Sequence, residues 1–144
     1  MKTSLFCCLV VALISGCSQP KSLEIEGAWK LVYVIGVEGN KPYYSFPGTD
    51  TTEGQIRMWS KDHFSFAGIM KYDTLHSDSF GGGTYKLTGN LLEETNLYHS
   101  WKGFVGKTLK ITTEIKNDTL ILTILDENGK LNKSSYWLEK YVRL

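Results

Sequence analysis

Apolar and polar residues alternate in short runs along most of this chain, and from Glu24 onward no long stretch carries the 3.6-residue period of a helix. β-Branched and aromatic residues gather instead at residues 25–35, 55–59, 63–70, 83–87, 91–99, 108–116, 119–125 and 133–143, with Gly, Asn and Asp between them. The pattern predicts eight strands. The sixth run alternates cleanly, Leu109, Ile111 and Ile115 facing one way and Lys110, Thr112, Glu114 and Lys116 the other. The seventh is apolar on both faces through Leu120, Ile121, Leu122, Ile124 and Leu125, so its outer face is expected under a loop, under a neighbouring chain, or under nothing well ordered.

The connections alternate between tight and long. Ser60-Lys61-Asp62, Thr88-Gly89-Asn90 and Asn117-Asp118 have hairpin chemistry, whereas 36–54, 71–82, 100–107 and 126–132 are long. In an up-and-down meander the tight turns share one end and the long loops the other. Eight antiparallel strands in sequence order can close on themselves, which removes exposed edges and encloses one small ligand. The expected fold over 25–144 is therefore all-β, an eight-stranded antiparallel up-and-down barrel, with a flat sandwich as the alternative. By strand parity Tyr33, Phe64, Phe66 and Tyr85 face inward.

The N-terminus carries an address. Lys2 precedes an apolar run from Leu5 to Ile14 that is too short for the roughly 20 residues of a membrane-spanning helix, so residues 1–16 read as a signal peptide. Leu13-Ile14-Ser15-Gly16-Cys17 resembles the lipobox of bacterial lipoproteins, which implies lipidation at Cys17 and a short tether over 17–24. Cys7 and Cys8 leave with the peptide, so the mature chain has no thiol pair to bridge. No acidic run follows Cys17, which favours the periplasmic face of the outer membrane over the cell surface. The whole chain has 16 basic and 15 acidic residues, and loss of Lys2 leaves them equal. No field of one sign exists to recruit nucleic acid. Hydrophobic residues at 42% and charged residues at 22% exclude a disordered chain, and 144 residues allow one domain.

Gly27-Ala28-Trp29 at the start of the first strand resembles the Gly-x-Trp element of lipocalins, in which the tryptophan plugs the closed end of the barrel and a basic residue of the last strand lies over it. Arg143 falls at that position. His63-Phe64, the run from Phe80 to Tyr85, Asn90 through Glu94 and Glu139-x-Tyr141-x-Arg143 together resemble small lipocalin-like envelope proteins of Gram-negative bacteria. That resemblance supports fold and location, places Glu94 inward on a face shared with Asn96 and Tyr98, and supplies no chemistry.

Catalytic patterns are poor. Glu93 and Glu94 point to opposite faces of one strand and cannot act as a carboxylate pair on one substrate. His63 lies near a closed-end turn while His76 and His99 lie at the loop end, which rules out a metal site built from all three. His76-Ser77-Asp78 are neighbours and cannot form a relay, and Gly81-Gly82-Gly83 reads as a flexible turn or bulge because it lacks the Lys and Ser/Thr of a phosphate loop. No cofactor is implied. Aromatic residues crowd the loop end through Tyr43, Tyr44, Phe46, Phe80, Trp101 and Phe104. The reading is a non-enzymatic, lipid-anchored envelope barrel that binds a small, partly apolar molecule through Tyr33, Phe64, Phe66, Tyr85, Glu94, Tyr98 and Trp101, with Trp29 and Arg143 closing the barrel. The alternative is a solid barrel that contacts another envelope protein.

Overall fold

The computed structural model describes residues 23–47, 53–72 and 75–144, with backbone alone for 72, 75 and 76. The expected signal peptide, Cys17 and most of the expected tether lie outside the described residues. The strands are β1 (Gly27–Glu38), β2 (Lys41–Phe46), β3 (Gly54–Ser60), β4 (His63–Tyr72), β5 (Leu75–Thr88), β6 (Leu91–His99), β7 (Thr108–Lys116), β8 (Thr119–Ile124) and β9 (Tyr136–Arg143), with a 3-10 turn at Lys102–Phe104. From β3 to β9 each strand pairs antiparallel with the next. The first half of β1 pairs with β3 through Gly27 to Lys30, and its opposite edge pairs with β9 from Trp29 to Val37, which closes an eight-stranded up-and-down barrel.

β2 is a ninth strand, added along β1 where β3 ends, and it occupies part of the connection expected at 36–54. Gly39 and Asn40 have φ of 56° and 63°, the left-handed pair that a two-residue hairpin requires, so the chain doubles back at once. The connection expected at 71–82 is likewise mostly strand, since β4 runs to Tyr72 and β5 starts at Leu75. Gly81-Gly82-Gly83 lies inside β5. A Cβ on Gly81 would stand 2.6 Å from the Phe66 ring, and one on Gly82 would stand 2.5 Å from the Tyr98 hydroxyl, so the glycines admit neighbours to the backbone from both faces of the sheet.

The three tight turns expected from sequence share one end, with Lys61, Gly89, Asn117 and Asp118 all at positive φ, while the Gly39-Asn40 turn lies at the other. Above them sits a dry plug of Ile25, Trp29, Leu31, Trp59, Leu92 and Leu120, each almost wholly buried. The Trp29 indole N–H donates to the Ile25 carbonyl at 2.8 Å, and the Arg143 guanidinium stands 4.4 Å from the Trp29 ring centroid. Arg143 also donates to the Glu26 and Glu24 carbonyls at 2.8 and 2.9 Å, so one side chain clamps the segment that enters the barrel. On β8, Leu120 and Leu122 enter the core, while Ile121 is half-buried in a shallow outer groove with Leu23, Asn90 and Thr112.

Three β-bulges interrupt the alternation, each inserting one unpaired residue and rotating the strand beyond it. Between β1 and β9 the pairing steps past Val32; between β5 and β6 it steps past Leu97; between β1 and β2 it steps past Tyr43. Trp29 and Leu31 face inward before the first bulge, and Val34 and Gly36 face inward after it. Tyr33 is therefore on the outer face, beneath the Lys140 ammonium at 4.9 Å, and not in the interior where uninterrupted parity puts it. The second bulge does the same to Tyr98, which is 54% exposed on the outer face. It turns His99 inward instead.

Candidate functional site

Inside the barrel, halfway to the mouth, a guanidinium is held between two carboxylates. Alternation on β3 sends Gln55, Arg57 and Trp59 inward and leaves Ile56 and Met58 outside. Arg57 Nη2 pairs with Glu94 Oε2 from β6, and Nη1 pairs with Glu139 Oε2 from β9 at 3.3 Å. Glu94 is fully buried, and its second oxygen accepts the Trp59 indole N–H at 2.8 Å. Glu139 Oε1 accepts the Trp137 indole N–H at 2.8 Å. The Tyr141 hydroxyl lies 2.8 Å from Glu139 Oε2 and 3.0 Å from Gln55 Oε1, and Gln55 Nε2 donates to Ser79 at 3.2 Å. The result is a polar layer spanning β3, β5, β6 and β9 across the barrel.

Burial works against the Arg57 charge, but Glu94, Tyr141 and Glu139 outweigh it and hold its pKa above the ordinary value. Burial likewise pushes the Glu94 carboxyl up, opposed by Arg57 and by the Trp59 hydrogen bond. Burial raises the Tyr141 phenol well above its ordinary range, with Glu139 adding to it, so it stays a proton donor. The Arg57 carbon lies 5.2 to 5.4 Å from the ring centroids of Trp59, Phe64 and Phe66, and Arg57 Nε has no hydrogen-bond partner among the described residues. Aromatic faces take the place of water around the part of the guanidinium that the carboxylates leave free.

This layer is the floor of a cavity of about 380 Å³ that opens at the loop end. Leu109, Ile111, Leu122 and Ile124 form one wall, and Phe66 and Met70 form the opposite one. Gln55, Ser79, Asn96, Arg57 and Glu139 supply the polar groups. The rim is aromatic. Tyr44 stacks on Trp137 at 5.2 Å, and Tyr43 lies 6.3 Å from the same indole. Gly36 makes this arrangement possible, since a Cβ there would meet Tyr43 at 2.7 Å and Trp137 at 2.9 Å.

Across the mouth, His99 holds the 3-10 turn. Its ring stacks on Phe104 at 4.8 Å and meets Phe66 edge-on at 5.3 Å, while Nδ1 accepts the Trp101 backbone N–H at 2.9 Å. An imidazole that accepts at Nδ1 is neutral, and burial, helped by Arg57, holds the His99 pKa below its ordinary value. A group whose pKa falls on folding supports the closed rim above its free value of about 6.5 and loses that support as pH drops toward the lowered one. Hydrogen exchange at the Trp101 amide, corrected for intrinsic rates, is expected to accelerate between pH 7.5 and 5, and His99→Phe should remove the dependence. Constant protection across that range in the unaltered protein would show that the imidazole does not latch the turn.

Of the residues singled out from sequence, Phe66 and Trp101 line the cavity. Phe64 is buried beneath Arg57. Tyr85 faces the barrel at its closed end, beside the Leu23 to Glu26 segment and away from the cavity. Glu94 points inward but lies behind Arg57, paired instead of free. Tyr33 and Tyr98 are on the outside. Sequence reasoning weighed only Glu93 as a partner for Glu94, whereas Arg57 pairs with Glu94 and brings Glu139 and Tyr141 into the same layer. Gln55-x-Arg57-x-Trp59 could have been found by parity, had the apolar Ile56 and Met58 not marked the opposite face as the inner one. His63 pairs with Asp62 at 2.6 Å on the closed-end surface, and the His76 side chain lies outside the described residues. Among the described residues no group of three His, Cys, Asp or Glu side chains is placed to hold a metal ion.

The chain matches no protein-family model, no curated protein and no solved structure.

Proposed function

We propose that this chain is a lipocalin-like, lipid-anchored protein of a bacterial envelope that binds a small, partly apolar molecule at the mouth of its barrel and carries out no chemistry on it. The observation that carries the reading is the cavity of about 380 Å³ with an apolar wall, a hydrogen-bonding floor and an aromatic rim. That is the makeup of a small-molecule site: apolar surface supplies affinity and a few fixed polar groups supply orientation. Glu94, the group best suited to acid chemistry, is paired behind Arg57 with no exposed surface. The anchor rests on Ser15-Gly16-Cys17 after an apolar run, and the short tether holds the closed end toward the bilayer.

N-phenyl-1-naphthylamine, an uncharged apolar fluorophore of the right size, is expected to bind the full chain with micromolar affinity. Leu122→Trp, which fills the cavity from β8, should weaken binding about tenfold or more. Cys17→Ser should shift the chain from the membrane to the aqueous fraction. Fluorescence that is absent, or that ignores Leu122→Trp, removes the ligand reading; a membrane-retained Cys17→Ser chain removes the anchor. A second reading, docking of another envelope protein, is favoured by the exposed Ile56, Met58, Phe80 and Leu97 on the outer wall of β3, β5 and β6.

A further inference from the structure

The charges on the cavity floor do not balance, since one guanidinium faces two carboxylates. Among the described residues no lysine lines the cavity, and His99 is neutral by its own hydrogen bond. The two carboxylates are also unequal. Glu94 has both oxygens engaged by Arg57 and Trp59 and does not reach the cavity. Glu139 does reach it, and its ion pair with Arg57 is 3.3 Å long against the roughly 2.8 Å of a strong charge-assisted bond. A carboxylate has about four acceptor sites. Arg57 and Tyr141 occupy Oε2, while among the described residues Oε1 accepts from Trp137 alone. Oε1 thus keeps a free lone pair beside the Trp137 indole, whose neighbours are Tyr43 and Tyr44.

We infer that this cavity selects a monocationic amine carried on a flat apolar body, with the ammonium on Glu139 Oε1 beside the Trp137 ring. The inference rests on the small-molecule reading above and gives it a ligand class. An ammonium neutralises the excess charge, donates to the open lone pair and lies near π faces that attract cations within about 6 Å. A carboxylate ligand meets the opposite situation: the cavity's one cation is already shared between two acids, and approach to it brings the ligand against Glu139. An alcohol can donate to Oε1 but leaves the charge uncompensated.

The test is a matched set of probes displacing N-phenyl-1-naphthylamine from the full chain: 1-naphthylmethylamine, 1-naphthylmethanol and 1-naphthylacetate at pH 7.5. A charge-assisted hydrogen bond exceeds a neutral one by roughly tenfold in affinity, so the amine should bind about tenfold tighter than the alcohol, and the acetate weakest. Glu139→Gln keeps the shape and the acceptor oxygen but loses the charge. It should bring the amine to the level of the alcohol while leaving the alcohol within about threefold of its original affinity. The ranking on the unaltered chain stands whether or not that variant folds. Equal affinities for amine and alcohol, or a preference for the acetate, overturn the amine inference and leave the cavity as a neutral site. Binding of the fluorophore with no displacement by the amine overturns it as well, and failure of the fluorophore itself overturns the small-molecule reading beneath it.

Discussion

Arg57→Ala is expected to destabilise the barrel by about 3 to 5 kcal/mol, because it strands a fully buried Glu94 with only the Trp59 N–H for company. For a domain of this size that is a fall in melting temperature of roughly 10 °C or more. The loss should depend on pH. With Arg57 gone, burial raises the Glu94 pKa against the Trp59 hydrogen bond alone, so the folded form takes up a proton more readily than the unfolded chain. A group with a raised folded pKa adds stability below its free value of about 4.3 and loses it as pH rises through the raised one. The defect is therefore largest near pH 7.5 and shrinks toward pH 5. Denaturant midpoints at the two pH values give the comparison. Replacing the pair together, Arg57→Met with Glu94→Leu, removes the stranded charge and should recover most of the loss, since apolar substitutes for a buried ion pair are often neutral. An Arg57→Ala protein as stable as the parent at pH 7.5 would show that the polar layer adds nothing to folding.

At the other end of the barrel, Trp29→Ala should remove about 3 to 5 kcal/mol through lost packing, because the indole is 1% exposed and holds the plug together. Arg143→Ala should remove about 1 to 2 kcal/mol, from the cation above the ring and the bonds to Glu24 and Glu26. The two should couple by at least about 0.5 kcal/mol in a double-mutant cycle. Strict additivity would mean the contact at 4.4 Å has no energetic content. Gly27 belongs to the same unit. Its φ is 120°, and a Cβ there would stand 2.9 Å from Arg143 Nη1, so the glycine before the tryptophan keeps room for the cation.

Hydrophobic pattern and turn chemistry were enough to read the barrel, since its eight strands, their directions and the shared end of three tight turns come from local rules. The resemblance to lipocalins set Arg143 over Trp29, and the two lie across from each other in the β1–β9 register. The site was far less legible. Parity carries a strand correctly only up to its first bulge, and nothing in Val32 or Leu97 announces one. Tyr33 and Tyr98 were lost to the outer face and His99 gained for that reason. Arg57 was hidden by inverted amphipathicity, an interior charge flanked by exposed Ile56 and Met58. Its two acidic partners lie 37 and 82 residues away in sequence, and only closure of the sheet brings them to it. β2 was the avoidable error, because Gly39-Asn40 is ordinary hairpin chemistry.

The bulge at Leu97 shields the rim from one kind of sequence change. Removing that one residue would leave Asn96, Tyr98 and His99 paired with Gly83, Gly82 and Gly81 as before, facing in, out and in along a now regular strand. Gly83, whose missing Cβ leaves room for the Thr95 carbonyl, lies where the strand would tighten. In a lineage of such barrels, loss of that codon would therefore spare the imidazole at the mouth, whereas a single substitution at His99 would remove it.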